Sequence, residues 1–410
     1  MIQAQKGTKD ILPDEILNWQ RMENVANEVF SKANFKEIRT PIFEATELFA
    51  RGVGDSTDIV NKEMYTFEKS ERSLTLRPEN TAGVVRAYIE HGFSRLPQPV
   101  KLWYKGPMFR YERPQAGRQR QFHQVGVEMF GSQEPSADAE VINLAVNYLN
   151  KLGLNDLDIE INSLGCPECR KKYREAIKNV LKPYLNQLCD DCNFRYEKNP
   201  LRILDCKVDA CKEIFQKEEV QQVILGDFIC PECQEHFDKV KEYLKALNIP
   251  YTVNKLLVRG LDYYNRTVFE IKSNNLGSQN AVCGGGRYDS LVETLGGAST
   301  PAVGWAMGME RLNSLISKPI ADRVDVFVVS ENVSETFKIL EEIRDAGFSA
   351  EFDYSVRRFK KQLDKAAKSA KYALILMDDE ISSQTVTIKN LDTSEQVNVP
   401  RSSFLKNIIR

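Results

Sequence analysis

The chain has 410 residues, which is long enough for two or three domains with a substantial core. Its net charge is −2, so it is not a bulk polycation, and any contact with nucleic acid needs local basic patches. No apolar run approaches about 18 residues, and the N-terminal stretch lacks the apolar core of a signal peptide. We therefore expect a cytoplasmic protein that does not associate with membranes.

The first part of the chain is predicted to alternate helices and strands. Apolar residues at helical spacing predict a helix over residues 14–32, and the next strand ends at Pro41, because proline cannot donate to a β ladder. A strand, a proline turn and a helix are predicted over residues 74–90. Residues 100–131 predict a long hairpin with a basic loop, and a helix over residues 136–152 precedes a further strand.

A change in composition divides the chain. Residues 166–250 are charged, cysteine-rich and helical in pattern, and they interrupt what is otherwise one sheet. We therefore predict an α+β fold with an antiparallel sheet flanked by helices over residues 1–165 and 251–320, and an inserted, mostly helical domain over residues 166–250. Alternating strands and helices predict a small α/β domain over residues 321–410.

The sequence lacks the common motifs of hydrolases and P-loop enzymes. It contains three histidines, none next to a nucleophile, and no G-x-S-x-G, H-E-x-x-H or Walker A motif. Arginines beside glycines and acids stand out instead, and arginine suits bidentate phosphate recognition. These arginines are Arg77, Arg110, Arg113, Arg259, Arg287 and Arg311. Most arginines lie on solvated surfaces, so the prediction of a phosphate site rests on those in apolar strand contexts.

Several stretches together resemble the class II aminoacyl-tRNA synthetases. EIRTPIFE is similar to their first signature, which builds the dimer interface in that class. LWYKGPMFRYERPQAGRQRQFHQVGVE resembles the second signature and GWAMGMER the third. LVRGLDYYNRTVFE and CGGGRYDSL resemble two stretches peculiar to histidyl-tRNA synthetases, and KGTKDILP and LRPENTAG fit the same family. The resemblance covers nearly the whole chain.

The resemblance implies a homodimer that activates L-histidine with ATP and Mg²⁺ and then transfers the histidyl group to histidine tRNA. It also implies that residues 321–410 form an anticodon-binding domain. In the first step a carboxylate attacks the α-phosphate, and the transition state spreads negative charge over the phosphate oxygens. Positioning and fixed positive charge therefore supply the catalysis, without a catalytic histidine or serine.

The resemblance also implies the groups that hold the nucleotide. The implied ATP ligands are Arg110, Glu112 and Arg311. Arg110 would bind the α-phosphate and the substrate carboxylate, and Arg311 would hold the γ-phosphate. Gly304 and Gly308 would let backbone and ligand approach closely. Arg259 would be a fixed cation at the α-phosphate, where other class II enzymes place a metal ion, which makes Arg259 and Arg110 the implied catalytic residues.

The implied amino-acid pocket has an ammonium end and an imidazole end. The implied histidine ligands are Glu79, Thr81, Arg110, Gln124, Glu128, Arg259, Tyr263 and Tyr264. Glu79 and Thr81 would bind the α-amino group, whereas Glu128 and Tyr264 would bind the imidazole. Tyr263 is the least secure of them, because neighbours on a strand point to opposite faces. A rival amino acid would leave the polar groups unpaired, which can discriminate by about 10⁴–10⁵ without editing.

Two basic segments are candidates for contact with tRNA. Arg113 and Gln115, in the hairpin loop, are implied to recognise the extra 5′ guanosine of histidine tRNA, and a solvated charged loop is the alternative. The C-terminal candidates for phosphate contact are Arg357, Arg358, Lys361, Lys365 and Lys368. A helix with such a run can equally be a solvated face.

Eight of the nine cysteines fall in pairs. The pairs are Cys166/Cys169, Cys189/Cys192, Cys206/Cys211 and Cys230/Cys233. Two C-x₂-C knuckles suit a tetrahedral Zn²⁺ site, and eight thiolates could hold two ions. Free thiols and redox chemistry are the alternatives, and the sequence does not partition the pairs. His236 is a possible substitute ligand, and Cys283 is expected to be a small buried residue.

Two other function classes compete with the synthetase. One is the catalytically silent paralogue, a regulatory subunit of ATP phosphoribosyltransferase, which lacks the anticodon-binding domain and the intact Arg259 stretch. The other is a tRNA-binding or sensor module with a degenerate catalytic core. This sequence has both the stretch around Arg259 and the segment that resembles an anticodon-binding domain, which argues against the paralogue. The implied catalytic residues are intact, which argues against a degenerate sensor, so the synthetase is preferred.

Overall fold

The computed structural model describes residues 1–54, 57, 59–112, 118–273, 280–317 and 323–408. The chain divides into two compact units, Met1–Lys318 and Pro319–Arg410. Among the described residues, no helix combines the length and the apolar character that crossing a membrane requires. The division of the first unit into a core and an insert stays a prediction.

Helices and short strands alternate in the part of the first unit that precedes the cysteines. The helices are α1 (Pro13–Lys32), α2 (Thr46–Val53), α3 (Thr81–Glu90) and α4 (Pro135–Lys151). The strands are β1 (Lys36–Glu37), β2 (Phe43–Ala45), β3 (Tyr65–Lys69), β4 (Arg72–Leu76), β5 (Val100–Phe109), β6 (Gln121–Phe130) and β7 (Leu157–Ser163). The predicted helices and the predicted hairpin are confirmed here. The strand before Pro41 is much shorter than its sequence suggests, since only two residues pair with β5.

The cysteine-rich stretch is helical, as predicted. Its helices are α5 (Pro167–Leu181), α6 (Asp190–Lys198), α7 (Asp209–Phe215), α8 (Glu218–Ile224) and α9 (Pro231–Ala246), with 3₁₀ turns at Lys182–Gln187 and Pro200–Asp205. Apolar residues of these helices form a local core around Ile177, Leu201 and Ile214. The sequence then returns to the sheet through β8 (Thr252–Val253), β9 (Asn265–Ser273), β10 (Ala281–Arg287), α10 (Leu291–Thr294), β11 (Ala302–Gly308) and α11 (Met309–Leu315).

The main sheet of the first unit has eight strands among the described residues. In the part of the chain that the structure describes, its strand order is β1-β5-β6-β11-β10-β9-β7-β8. The strands are antiparallel except for the edge pairs β1 with β5 and β7 with β8, which are parallel. One face packs on α1 and α4, where Phe30 lies 5.3 Å from Tyr148 and 5.7 Å from Trp305, measured between ring centroids. Strands from both sides of the cysteine-rich stretch are therefore neighbours.

The second unit is a separate α/β structure. Its elements are β12 (Val324–Val329), α12 (Val333–Asp345), β13 (Ala350–Phe352), α13 (Phe359–Ser369), β14 (Ala370–Ile375), α14 (Asp378–Ser383), β15 (Thr385–Asn390) and β16 (Gln396–Pro400). The described strands have the order β13-β12-β14-β15-β16. β12 is parallel to both of its neighbours, and β15 and β16 add an antiparallel edge. The predicted alternation of strands and helices is confirmed.

Candidate active site

A cavity of 560 Å³ opens beside β6, β9, β10 and β11. The predicted ligands that line it are Glu79, Thr81, Arg110, Glu112, Gln124, Arg259, Tyr263, Tyr264 and Arg311. Asp205 and Lys207 of the cysteine-rich stretch and Glu270 of β9 also line it, and the sequence analysis did not single them out. The structure therefore brings nearly every predicted substrate ligand to one cavity, although these ligands are far apart in sequence.

Arg259 lines this cavity and lies against β10. Its Nη1 donates a hydrogen bond to Glu270, and its guanidinium lies so close to Gly284 that a Cβ there would overlap it. Burial would lower the pKa of Arg259, but the Glu270 carboxylate raises it above its usual value. Among the described residues, none accepts a hydrogen bond from the buried Arg259 Nε. The result is a permanent, fixed cation inside a cleft.

Two more arginines bring positive charge to the same cavity. The Nε of Arg110 donates to the carbonyl of Pro78 at 2.8 Å, and its guanidinium lies 5.2 Å from the centre of the Phe122 ring. Arg311 donates to the carbonyl of Ala281 at 2.6 Å, and its pKa is lowered because it is largely buried. Backbone carbonyls thus hold both side chains in place without neutralising them.

Glu112 lines the cavity between two cations. Its carboxylate accepts a hydrogen bond from Arg118 at 3.0 Å, and its second oxygen lies 3.8 Å from Nη1 of Arg110. Both partners hold the carboxylate at the cavity wall. An acceptor held in this way can bind a donor on a flat ring, such as an exocyclic amino group.

Glu79 caps the N-terminus of α3. Its carboxylate accepts the backbone N–H groups of Thr81 at 2.8 Å and Ala82 at 2.9 Å, as side chains at helix N-termini often do. Burial raises the pKa of Glu79, and these two hydrogen bonds act against that rise. Each carboxylate oxygen keeps a further lone pair, so the group can also accept from an ammonium ion in the cavity.

Glu128 lies behind the wall formed by Thr81. It accepts hydrogen bonds from Thr81 Oγ1 at 2.7 Å, from Tyr104 OH at 3.4 Å and from Tyr288 OH. Burial raises the pKa of Glu128 to about 8. A Cβ on Gly304 would overlap this carboxylate, so Gly304 makes room for Glu128. The expectation that Gly304 makes room for the ligand is therefore wrong.

Tyr263 and Tyr264 both line the cavity. They precede β9, so the alternation of side chains along a strand does not separate them, and their ring centroids are 4.6 Å apart. Arg170 of α5 donates to the carbonyl oxygens of Tyr264 at 2.7 Å and Asp262 at 3.3 Å. The cysteine-rich stretch thus contributes to the position of both tyrosines.

Comparisons with known proteins agree with this geometry. The family model described as histidyl-tRNA synthetase matches residues 7–312, and the model described as an anticodon binding domain matches residues 323–410. The chain belongs to the histidyl-tRNA synthetase family. It is 48% identical to the histidine–tRNA ligase of Halothermothrix orenii, with 99% of each chain covered.

Solved structures give the same family. The apo histidyl-tRNA synthetase of S. aureus is 37% identical, covers 100% of both chains and has a TM-score of 0.82. A Bacillus halodurans protein described as an ATP phosphoribosyltransferase regulatory subunit/histidyl-tRNA synthetase has a TM-score of 0.67 at 21% identity over 92% of this chain and 98% of its own. The second likeness concerns the fold alone.

In this family member, two of the singled-out arginines are structural. Arg77 is buried and donates to the carbonyls of Pro107 at 2.8 Å and Thr40 at 3.0 Å. Arg287 is fully buried and pairs with Asp138 at 2.5 Å. Their selection as phosphate-site candidates is therefore wrong. Both lie in the same kind of glycine- and acid-rich context as Arg259, so local sequence does not separate the two roles.

The predicted tRNA contacts are only partly within the described residues. Arg113 and Gln115 lie outside them. The C-terminal candidates Arg358, Lys361 and Lys368 are exposed, whereas Arg357 pairs with Asp353 at 2.6 Å and Lys365 with Glu351 at 2.9 Å. The basic helix begins at Phe359, so Arg357 and Arg358 precede it.

The eight paired cysteines form two separate clusters. One contains Cys166, Cys169, Cys230 and Cys233, and the other contains Cys189, Cys192, Cys206 and Cys211. Within each cluster the four sulfur atoms lie within 4.8 Å of one another. His236 lies outside both clusters and contacts Asp138 at 3.3 Å. Cys283 is buried, as predicted.

Sequence reasoning missed the partners that hold the ligands. Glu270 and Tyr288 both fall within the family stretches, but their contacts with Arg259 and Glu128 depend on strand register. The β9–β10 register places Glu270 opposite Gly284, directly where Arg259 crosses the sheet. Lys207 carried no local signal beyond its position beside Cys206.

Replacing Glu128 by glutamine is expected to change how stability depends on pH. The unfolded chain releases this proton near the ordinary pKa of 4.5, whereas the folded chain keeps it until about pH 8. The folded state binds more protons between these values, so the unfolding free energy falls as pH rises. The variant should lose this contribution, which is about 1.4 kcal/mol per pH unit.

Urea unfolding at several pH values between 5 and 8, followed by tryptophan fluorescence, measures this slope. The signal reports the first unit, because all three tryptophans lie in it: Trp19, Trp103 and Trp305. The exposed Glu293→Gln is the matched control and should keep the slope of the parent protein. Equal slopes for the parent and Glu128→Gln would show that the buried carboxyl ionises normally.

Proposed function

We propose that the chain ligates L-histidine to histidine tRNA, using ATP accompanied by Mg²⁺ and releasing AMP and pyrophosphate. The single observation that supports this best is the cavity itself. It presents three arginines, Arg110, Arg259 and Arg311, together with the buried acceptor Glu79. The cations suit a polyphosphate and the acceptor suits an α-ammonium group, which are the charged ends of the two substrates.

In the proposed first step, a carboxylate oxygen of histidine forms a bond to the α-phosphorus of ATP. The bond from that phosphorus to the pyrophosphate oxygen breaks, and histidyl-adenylate remains in the cavity. Arg110 and Arg259 would stabilise the charge on the α-phosphate oxygens, and Arg311 would hold the γ-phosphate. Glu112 would accept from the adenine edge. The fixed hydrogen bonds of these side chains mean that little reorganisation is needed during reaction.

Selection of histidine is proposed to combine the tyrosines with the acceptors beside them. Glu79, Thr81 and Gln124 would bind the α-ammonium group, and Tyr264, with Tyr263 beside it, would face the imidazole. Gln124 Oε1 is buried without a partner among the described residues, which leaves it free to accept from a ligand. Glu128 would act through Thr81 and Tyr288 at the back of the pocket.

The second step is proposed to transfer the histidyl group to the terminal adenosine of histidine tRNA. Arg113 and Gln115 are the proposed contacts with its acceptor end. Exposed basic side chains of the second unit, among them Lys361 and Lys368, are the proposed phosphate contacts near the anticodon. Because its substrates are ATP and tRNA, we propose that the protein works in the cytoplasm.

A homodimer is proposed through the face that carries the first signature. Ile42, Phe43 and Phe67 are 44%, 54% and 43% exposed, and the last two lie on β2 and β3 of one small sheet. Such a group of exposed apolar side chains commonly marks an interface. Two copies of this face would cover the three side chains.

Phe43→Asp is therefore expected to shift the protein from dimer to monomer at micromolar concentration. A charge placed in an apolar interface must be desolvated without a partner, which weakens association. Size-exclusion chromatography with light scattering measures the mass. Phe194→Asp, at a residue of α6 that is 48% exposed, is the control and should leave the mass unchanged. A parent protein that is monomeric would contradict the interface.

ATP–pyrophosphate exchange with each of the twenty amino acids, without tRNA, tests the activity. We expect exchange with histidine alone. The regulatory-subunit alternative predicts no exchange with any amino acid, as does a sensor with a degenerate core. If exchange is absent, binding to a phosphoribosyltransferase and to tRNA would separate these two alternatives.

A further inference from the structure

We propose that the cysteine-rich stretch binds two Zn²⁺ ions, each through four thiolates, and that the ions fix two segments of this stretch: one that holds the backbone of the cavity tyrosines and one that lines the cavity itself. The first site consists of Cys166, Cys169, Cys230 and Cys233. The second consists of Cys189, Cys192, Cys206 and Cys211. The metal sites themselves do not depend on the proposed reaction.

The geometry of both clusters fits tetrahedral zinc. Four sulfurs at about 2.3 Å from one ion would be about 3.8 Å apart. The Cys166 and Cys169 sulfurs are 3.5 Å apart, and those of Cys189 and Cys206 are 3.8 Å apart. All eight cysteines are free thiols, and most are buried. Four thiols gathered around one point, without disulfides, form the donor set of a structural zinc site.

The backbone around the clusters also suits thiolates. Cys230 N–H donates to the Cys169 sulfur at 3.1 Å, and Cys189 N–H donates to the Cys211 sulfur at 3.3 Å. Cys166, Cys189 and Cys230 are each the residue before a helix, where the helix dipole stabilises negative charge. Hydrogen bonds of this kind orient metal ligands and stabilise their charge.

The first site joins the beginning of the stretch to its end. Cys166 and Cys169 lie at the N-terminal end of α5, and Cys230 and Cys233 lie at that of α9, which leads back to the sheet. The next residue after Cys169 is Arg170, whose guanidinium holds the carbonyls of Asp262 and Tyr264. An ion at this site would therefore fix the segment that carries the cavity tyrosines.

The second site lies next to the other contact with the cavity. Cys206 is flanked by Asp205 and Lys207, and both of these line the cavity. The preceding 3₁₀ turn begins after Asn199, whose side chain donates to Asp262 at 2.6 Å. The two ions would thus stabilise two separate contacts with the segment around Asp262, which carries the cavity tyrosines.

Elemental analysis of the full-length chain tests the partition. We expect about two zinc ions per chain in the parent protein and about one in each of the double variants Cys166→Ser/Cys169→Ser and Cys189→Ser/Cys192→Ser. Cys283→Ser, which changes the ninth cysteine, should retain both ions. A parent protein with one ion or fewer, or variants that lose none, would overturn the proposal.

Titration of the metal-free parent chain with Co²⁺ alone gives a second measurement that does not depend on how the variants fold. We expect saturation at about two equivalents, with intense thiolate-to-metal charge-transfer bands and the visible bands of tetrahedral Co²⁺. Saturation at one equivalent, or octahedral spectra, would refute the two sites. Zinc binding without histidine exchange would refute the proposed activity and leave the metal sites standing.

Metal removal should also raise the KM for histidine more than the KM for ATP in pyrophosphate exchange. The reason is that the first site supports the Tyr263–Tyr264 segment, whereas Glu270 of β9 holds the guanidinium of Arg259 and the carbonyl of Ala281 in β10 holds that of Arg311. This expectation rests on the proposed function. Equal changes in both KM values would contradict the supporting role of the ions, and the metal count would still decide whether the sites exist.

Discussion

Arg259→Ala is expected to lower the rate of histidine-dependent ATP–pyrophosphate exchange by roughly 10²–10³-fold, the usual loss when one preorganised electrostatic donor is removed. The side chain is 22% exposed, so one face of the cation reaches the cavity while Glu270 holds the other. Water that replaces the guanidinium must reorient as charge develops on the phosphate, whereas the fixed cation need not. The loss should fall mainly on kcat.

Two further variants separate charge from position. Arg259→Lys keeps the charge but loses the planar fork, so it should retain only part of the activity. Gly284→Ala leaves Arg259 in the sequence but places a methyl group where the guanidinium lies, so its loss should approach that of Arg259→Ala. Arg51→Ala, at an exposed arginine of α2, is the control. Exchange by Arg259→Ala within about threefold of the parent would remove the proposed role.

Asp138→Ala is expected to destabilise the first unit by up to about 3–5 kcal/mol, because the buried Arg287 loses the carboxylate that is buried with it and keeps, among the described residues, only Asp289, which lies at 3.1 Å. Asp138 and Arg287 both have side chains that are 0% exposed, and Nη2 of Arg287 lies 2.5 Å from Asp138 Oδ2. Burial would raise the pKa of Asp138, but Arg287 lowers it below its usual value, so the carboxylate stays ionised. His236 of α9 adds a contact at 3.3 Å.

Urea unfolding followed by tryptophan fluorescence measures this loss. The double variant Asp138→Leu/Arg287→Met removes the fully buried pair and should be less destabilised than Asp138→Ala, since the partly exposed Asp289 keeps Arg266 at 3.8 Å. Asp158→Ala, at an exposed aspartate of β7, is the matched control and should change stability by less than about 0.5 kcal/mol. A double variant as unstable as Asp138→Ala would show that lost packing, and not the loss of a buried carboxylate beside Arg287, sets the decrease in stability.

Local patterns predicted the elements whose stability is mostly local. The β5–β6 hairpin consists of two strands joined by a basic, glycine-containing loop, and α1 carries apolar residues at helical spacing, so both followed from sequence. The length of β1 did not, because only its pairing with β5 defines it. The treatment of Tyr263 and Tyr264 as neighbours on a strand is also wrong, because β9 begins at the next residue.

The candidate site could be predicted as a set of side chains but not as a set of contacts. Arg259 and Arg287 are both arginines near glycines, yet one faces a cavity and the other a buried carboxylate. The difference arises because each arginine meets partners that are distant from it in sequence and that only the folded sheet and its helices bring close. The partition of the cysteines has the same origin, since Cys169 joins a pair about sixty residues away and not its nearest neighbours. The ligand roles themselves stay predictions.

The order of strands in the sheet has a consequence for synthesis on the ribosome. β6 forms one edge of its hairpin until β11 pairs with it, and β11 emerges only after the whole cysteine-rich stretch has been translated. That stretch has its own local core and can fold first, whereas the nascent hairpin must wait with an unpaired, largely apolar strand. Ribosome-bound chains in which β11 has not yet left the exit tunnel should therefore depend on chaperones, and longer chains in which β11 has left it should not.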